Sequence, residues 1–233
     1  DTDRSRGLGD VYKRQAMQIL KEDFAGFDAQ LIIMDVVPWM LPYYEASGIQ
    51  FEIEDNRDYM DYTFTPEQFL AGMDTQDDRY RYNYFKRRFA YETEEITPFH
   101  REEIREFMER EWCGEKTCEE CHCGCLLRVI DNLVPVFDKI RINGILVRVE
   151  GKMAGLCIVS CRNGLGVYQY KNAVNRIKGI NEYLLRESFE RYLQSADTIN
   201  YTEDMGVENL RYYKEHMAPA HTLLSKLTLT ERG

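Results

Sequence analysis

No stretch of this chain is apolar enough to cross a bilayer as a helix. Its longest apolar runs, such as Leu31 to Val37, fall far short of the roughly 20 residues a spanning helix needs. Basic residues are in deficit. Lys and Arg total 30 against 40 Asp and Glu, for a formal net charge of -10, which excludes a generally basic nucleic-acid coat but permits a local basic patch. The seven cysteines do not form a spread framework, because five of them fall between Cys113 and Cys125. Secreted disulfide scaffolds distribute their pairs. Near the start there is no apolar core of a secretory signal, and nowhere is there a low-complexity tract or a short-period repeat. These absences lead us to expect a cytoplasmic protein, with peripheral membrane contact left open. What is present is an ordinary globular balance, with 44% hydrophobic and 30% charged residues. The 233 residues suffice for one large domain or two small ones.

Asp1 to Gln15 (DTDRSRGLGDVYKRQ) has no initiator Met and no apolar periodicity. It is similar to adaptor-derived sequence at the ends of translated environmental assemblies, so residues 1–15 are expected to be non-native and the natural chain to extend upstream. Leu31 to Val37 has the pattern of a short buried strand. Pro38 opens a short helix that ends at Gly48. Residues 51–64 have the pattern of a strand, a turn and a second strand. Thr65-Pro66-Glu67-Gln68 is a capping box with Pro in the first helical turn. Thr97-Pro98 repeats the device before a helix with Ile104, Phe107, Met108 and Trp112 on one face.

After the cysteines the pattern is strands between turn signals. A hairpin is expected about Gly151, and another strand after Arg162-Asn163-Gly164. An amphipathic helix follows from Gly179 to Gln194, with Ile180, Leu184, Leu185, Phe189 and Tyr192 or Leu193 inward. Ile199 to Tyr201 is predicted as a strand, Val207 to His216 as a helix, and His221 to Thr230 as a last strand.

The second half thus runs antiparallel meander, helix, strand, helix, strand. That is the α/β order of the GNAT (N-acetyltransferase) fold, a mixed sheet with flanking helices. In it two parallel strands splay apart, and an acyl donor sits at the N-terminus of the helix after the fourth strand. Exposed N–H groups and the helix dipole suit a pyrophosphate there. Arg176 and Gly179 match the phosphate-loop pattern of that fold, Arg/Gln-x-x-Gly-x-Gly/Ala, while Asn181 stands where it has Gly or Ala. A glycine that allows close helix entry beside solvated cations is the competing reading.

Residues 200–219, NYTEDMGVENLRYYKEHMAP, resemble the motif of the phosphatidylglycerol lysyltransferase C-terminal domain family. The matches are Asn200, Glu203, Asp204, Gly206, Leu210, Arg211, Lys214 and Pro219. Met205, Asn209 and His216-Met217 depart from it. Lys171-Asn172-Ala173 and Gly179 resemble a second family segment, with Tyr170 in place of Glu. Asp61-Tyr62, Phe64, Leu70, Gly72, Arg79 and Phe85 fit its linker region, where Met73 to Asp78 replaces the usual lysines. The resemblance implies two tandem GNAT-like halves, the first truncated. The expected division is a remnant of the first half over 16–75, a basic aromatic connector over 76–95, and a second GNAT-like domain over 96–233. It also implies transfer of an acyl or aminoacyl group from a CoA or tRNA donor, acyl-CoA or aminoacyl-tRNA, to an amine, a hydroxyl or a lipid head group.

Acyl transfer needs an oriented donor, a polarised carbonyl and a route for the proton. Glu203 and Asp204 lie between a strand and a helix, where open α/β sheets carry function. Glu203 is a candidate base, and Asp204 is either a second catalytic carboxylate or a helix cap. Arg211 and Lys214 share a helical face and, with Lys171 and Arg176, are candidates to hold donor phosphate or carboxylate. A solvated face or ion pairs to Glu203 or Asp204 would explain them equally well. Cys113, Cys118, Cys121, Cys123 and Cys125 with His122 are read as a loop of reduced thiols. Zinc is the alternative, although zinc sites usually join two separated pairs. Arg79 to Tyr91 (RYRYNYFKRRFAY) has five cations, six aromatics and no acid. Single-stranded RNA contacts use such a mixture, and an amphipathic connector is the plainer reading. Two function classes remain: an acyl- or aminoacyltransferase, and a non-catalytic GNAT-like ligand-binding module.

Overall fold

The computed structural model describes residues 31–46, 48–113, 126–217 and 221–231, with residues 15, 19 and 22 singly. Two compact units emerge. The smaller takes the chain up to Tyr62, then Glu203–Tyr212 and the residues from Leu223; the larger holds Thr63–Thr202 and Tyr213–Thr222. The elements run β1 (Ile32–Val36), α1 (Leu41–Glu45), β2 (Phe51–Asp55), β3 (Asp61–Phe64), α2 (Pro66–Met73) and α3 (Gln76–Arg88). Then come β4 (Tyr91–Glu95), α4 (Arg101–Met108), α5 (Leu126–Leu133), β5 (Asn143–Val149), β6 (Lys152–Arg162) and β7 (Leu165–Ala173). The chain closes with α6 (Ile180–Ser188), β8 (Thr198–Asn200), α7 (Glu208–Met217), β9 (Thr222–Leu224) and β10 (Leu227–Glu231).

In the smaller unit, β1, β10 and β2 form an antiparallel sheet in that order. Its core is Val36, Leu227 and Leu229, with Ile33, Met40, Leu41, Tyr44 and Phe51 packed against them. The buried strand expected over Leu31 to Val37 is only half right. β1 is an edge strand whose register shifts between Ile33 and Val36, with Asp35 at positive φ. Ile32 and Met34 are about half exposed, while Ile33 packs on the core and the irregularity turns Val36 inward with it. The single last strand expected from His221 is in fact two. It breaks at Ser225 and Lys226, where the lysine turns to carboxylates, and β10 joins the small sheet.

The larger unit is built on a sheet of order β4-β5-β6-β7-β8-β3-β9. β4 to β7 are antiparallel neighbours, β8 runs parallel to β7, and β3 runs antiparallel to β8. The two central hairpins follow from their turn residues. Glu150-Gly151 and Asn163-Gly164 all have positive φ, as two-residue turns matched to sheet twist require. The capping box at Thr65 forms in both directions: Gln68 N donates to Thr65 Oγ1, and Thr65 N donates to Gln68 Oε1. At Thr97 the reciprocal partner is His100. α6 continues through a wider turn over Phe189–Leu193, and Leu193 rather than Tyr192 is the buried residue of that pair.

Three elements escaped the sequence reading. The segment expected as a connector is the helix α3 followed by the edge strand β4. The glutamates of β4 mask its alternation. α5 stands where only strands were expected after the cysteines. Its Leu127 and Ile130, with Val134 beyond, are buried at helical spacing.

Candidate functional site

The parallel pairing of β7 and β8 is short. Leu165, Gly166 and Val167 pair with Thr198, Ile199 and Asn200, and beyond them no pairing joins the two strands. Tyr168 and Tyr201 stand where the strands part, edge to face at 5.3 Å. Phe69 stacks on Tyr168 at 5.1 Å. Burial drives the Tyr168 and Tyr201 hydroxyls well above their ordinary acidity range, so these phenols stay neutral.

α6 begins next to this divergence. Gly179, at φ +89°, is required by packing: a Cβ there would lie 2.1 Å from the Arg81 carbonyl oxygen on α3. Lys178 sits over the rings of Tyr80 and Tyr84, at 4.7 and 5.4 Å. Lys171 Nζ donates to Asn181 Oδ1 at 2.9 Å. Burial lowers the Lys171 pKa, against the opposing pull of Cys157 and Glu182. Its cross-strand partner Cys157 is pushed up to about 11 by burial, so that thiol is protonated at neutral pH. Lys171 and Asn181 are thus engaged with each other, and Gly179 serves the contact with α3.

Arg176 is different. It is 78% exposed and borders a cleft of about 690 Å³ with Arg110 and Lys152. Phe89, Met153, Val174 and Ile177 supply apolar lining. Arg110 donates to the Met153 carbonyl at 3.0 Å and to Glu111 Oε1 at 2.9 Å. The same Glu111 oxygen lies 3.9 Å from Arg176. One carboxylate therefore holds two guanidinium groups at the cleft wall. Sequence reading found Arg176 and missed Arg110, Glu111, Lys152 and Phe89. They come from separate segments, and no local motif links them.

The motif of residues 200–219 is split between the units. In the smaller unit Asp204 is fully buried. Arg211 grips it twice, Nε to Oδ2 at 2.9 Å and Nη2 to Oδ1 at 2.7 Å. Arg57 Nη1 and the Tyr62 hydroxyl donate to Oδ2 at 3.0 and 2.7 Å, and Gly206 N donates to Oδ1 at 2.9 Å. Arg211 also bonds Asp58 at 2.6 Å. Burial opposes the charge on Asp204, but the bonds from Arg211, Tyr62 and Gly206 N outweigh it. They hold this carboxyl far below the ordinary range. Asp204 thus organises two arginines and is a poor proton acceptor. Glu203 is partly exposed, with Lys226 Nζ 3.9 Å away. Met205 and Gly206 both have positive φ, the kind of strain that clusters at functional loops.

In the larger unit, Lys214 is buried. Its Nζ donates to the Tyr201 carbonyl at 2.6 Å and lies 4.7 Å from the Tyr201 ring centroid. Of the readings given for Arg211 and Lys214, the ion pair to Asp204 is the one Arg211 makes, while Lys214 is bonded to the Tyr201 carbonyl. Of the cysteine cluster, Cys118, Cys121, Cys123 and Cys125, with His122, lie outside the described residues, and for Cys113 only the backbone is described. Among the described residues no three His, Cys, Asp or Glu side chains converge as metal ligands, and no helix is long and apolar enough to cross a membrane.

Residues 7–225 match the family described as phosphatidylglycerol lysyltransferase, C-terminal. No curated protein matches the chain in sequence. Among solved structures, a conserved protein of unknown function from Bacteroides thetaiotaomicron is similar at 22% identity. The match covers 94% of this chain and 75% of that one, with a TM-score of 0.76. L-PGS from Bacillus licheniformis is similar at 14% identity over 88% of this chain and 69% of that one, TM-score 0.62. A tandem GNAT protein from the clavulanic acid biosynthesis pathway follows at 12% identity, 97% and 70% coverage and TM-score 0.53. At such identities the likeness concerns the fold, a mixed sheet of GNAT type with flanking helices. By the match to its family and by this architecture, the chain belongs to the phosphatidylglycerol lysyltransferase C-terminal domain family.

Proposed function

We propose that this protein is an acyl- or aminoacyltransferase whose donor occupies the cleft bordered by Arg110, Lys152 and Arg176. The cleft itself carries this reading. It joins three cations and one acid, Glu150, to an apolar lining of Phe89, Met153, Val174 and Ile177, and the excess of cations suits a phosphorylated carrier with a less polar acyl end. Aminoacyl-tRNA and acyl-CoA both have that chemistry. The acceptor is an amine or a hydroxyl, such as a lipid head group. In the reaction the acceptor N or O attacks the donor carbonyl carbon. The carbonyl's bond to the carrier oxygen or sulfur then breaks, and the acceptor proton leaves to a base. Asp204 is not that base, because Arg211, Arg57, Tyr62 and Gly206 N already take its lone pairs.

A second reading, a binding module without the reaction, is favoured by one observation. Lys171, Gly179 and Asn181, three of the donor-binding candidates from the sequence, are engaged inside the larger unit. Labelled transfer separates the two readings. Aminoacyl-tRNA and acyl-CoA with labelled acyl groups would be incubated with phosphatidylglycerol vesicles and with simple amines. The enzyme reading expects label to reach an acceptor, with Arg176→Glu raising KM about tenfold. Donor binding with no transfer to any acceptor supports the module.

A further inference from the structure

The two edges of the small sheet are built differently. β1 is irregular: its register against β10 shifts, Asp35 has positive φ, and the Asp35 carboxylate lies 3.7 Å from Lys226. Such irregularities blunt an edge against further pairing. β2 has no bulge. It pairs with β10 in unbroken register from Phe51 to Asp55, and no strand lies beyond it among the described residues. Asn56 N donates to the Lys226 carbonyl at 3.2 Å. Bonding alternates along an antiparallel ladder. Glu52 and Glu54 therefore turn their backbone groups to β10, while Phe51, Ile53 and Asp55 turn theirs outward.

The two faces of β2 differ in chemistry. Phe51 and Ile53 share a face with Leu229, and beside them a groove of about 390 Å³ opens toward α1. Leu41, Tyr44 and Ile49 complete its apolar lining. Tyr44 meets Phe51 edge to face at 6.4 Å, and Ile53 is still 48% exposed. Glu52 and Glu54 alternate with these residues on the opposite face and have no cationic partner among the described residues. A second copy of β2 laid antiparallel on this edge and centred on Ile53 would set glutamate against glutamate, which destabilises a cross-strand pair. A strand with Lys or Arg at alternate positions reverses that sign, and its intervening apolar residues enter the groove. We infer that the β2 edge and the groove beside α1 dock an extended segment of another protein, antiparallel to β2, in which apolar residues alternate with lysine or arginine. Main-chain bonds to Phe51, Ile53 and Asp55 supply affinity, and the groove and the two glutamates supply selectivity. This docking is independent of the proposed transfer reaction.

Fluorescence anisotropy of labelled octapeptides, titrated with the full chain, tests this. The probes are an alternating valine–lysine peptide, the same residues arranged in two blocks, and an alternating valine–glutamate peptide. The alternating valine–lysine peptide is expected to bind about tenfold more tightly than either control. N-methylation of its valines, whose N–H groups face β2 in this docking, is expected to weaken it about tenfold. Glu52→Lys with Glu54→Lys is expected to move the preference to the valine–glutamate peptide, and Ile53→Lys to weaken binding of the valine–lysine peptide. These three side chains are exposed, so unchanged melting curves certify the fold. Should a variant fail to fold, the N-methylated peptide tests the same edge on the wild type. Equal binding of the block peptide reports attraction to net charge alone and overturns the inference. So do absence of binding at low salt, full affinity of the N-methylated peptide, and a preference that survives the charge reversal. A dimer in sedimentation that Ile53→Lys dissolves overturns it as well, because the edge would then pair with its own copy.

Discussion

Asp204 shows how far residue type alone leads. A carboxylate after a strand and before a helix has the placement of a catalytic base or a cap. Only the fold shows Arg57, Tyr62 and Arg211 converging on it, since Arg57 and Tyr62 lie about 140 positions away in sequence. Asp204→Asn keeps the shape and removes the charge under two arginines. It is expected to destabilise the protein by about 2 kcal/mol in urea denaturation, the scale of hydrogen bonds to a charged group. Because the folded-state pKa is depressed, Asp204 contributes its full stabilisation above the ordinary aspartate pKa of about 3.9. That contribution fades as the pH falls below it. Acid unfolding of the wild type should therefore be steeper below about pH 4 than that of Asp204→Asn. Gly179 was legible as a special position, and of its two readings the close helix entry is the one its packing on α3 supports. Gly179→Ala meets the Arg81 carbonyl at a positive φ and is expected to cost about 2 kcal/mol, read by thermal unfolding.

At the scale of elements, what was legible depended on whether the deciding forces are local. The Thr65 box, the Glu150-Gly151 and Asn163-Gly164 turns and the buried face of α6 are local, and they form as expected. Thr65→Ala, which removes one side of the box, is expected to lower stability by about 1 kcal/mol. α3 was not legible as a helix. Alternating aromatics and cations suggest a strand or connector, whereas its inward face is just Tyr82 and Phe85 with little else apolar. Its start is set by Thr75, which caps Asp78 N. Its terminal Lys86, Arg87 and Arg88 suit the negative end of the helix dipole. That accounts for the cations of the last turn. β4 was missed because Glu92, Glu94 and Glu95 break its alternation, although Arg148 across the ladder pairs with Glu94 at 2.6 Å.

For the whole molecule, composition set bounds and no more. A net charge of -10 gives no sign of the cluster of Arg110, Lys152 and Arg176 at the cleft border, where Glu111 pairs with two of the three. The order of elements in the second half was enough to expect a GNAT-type sheet, and the family match agrees with it. The cleft itself was illegible, since Phe89, Arg110, Lys152 and Arg176 are neighbours only after β5, β6 and β7 are aligned. The central claim is that this cleft holds the acyl donor. Isothermal calorimetry of acyl-CoA and of aminoacyl-tRNA against the wild type and Arg176→Glu tests it directly. The account predicts that at least one donor binds and that Arg176→Glu weakens it about tenfold or more, the scale of a lost charge-assisted contact. Equal affinity in the two proteins, or no heat with either donor, would contradict it.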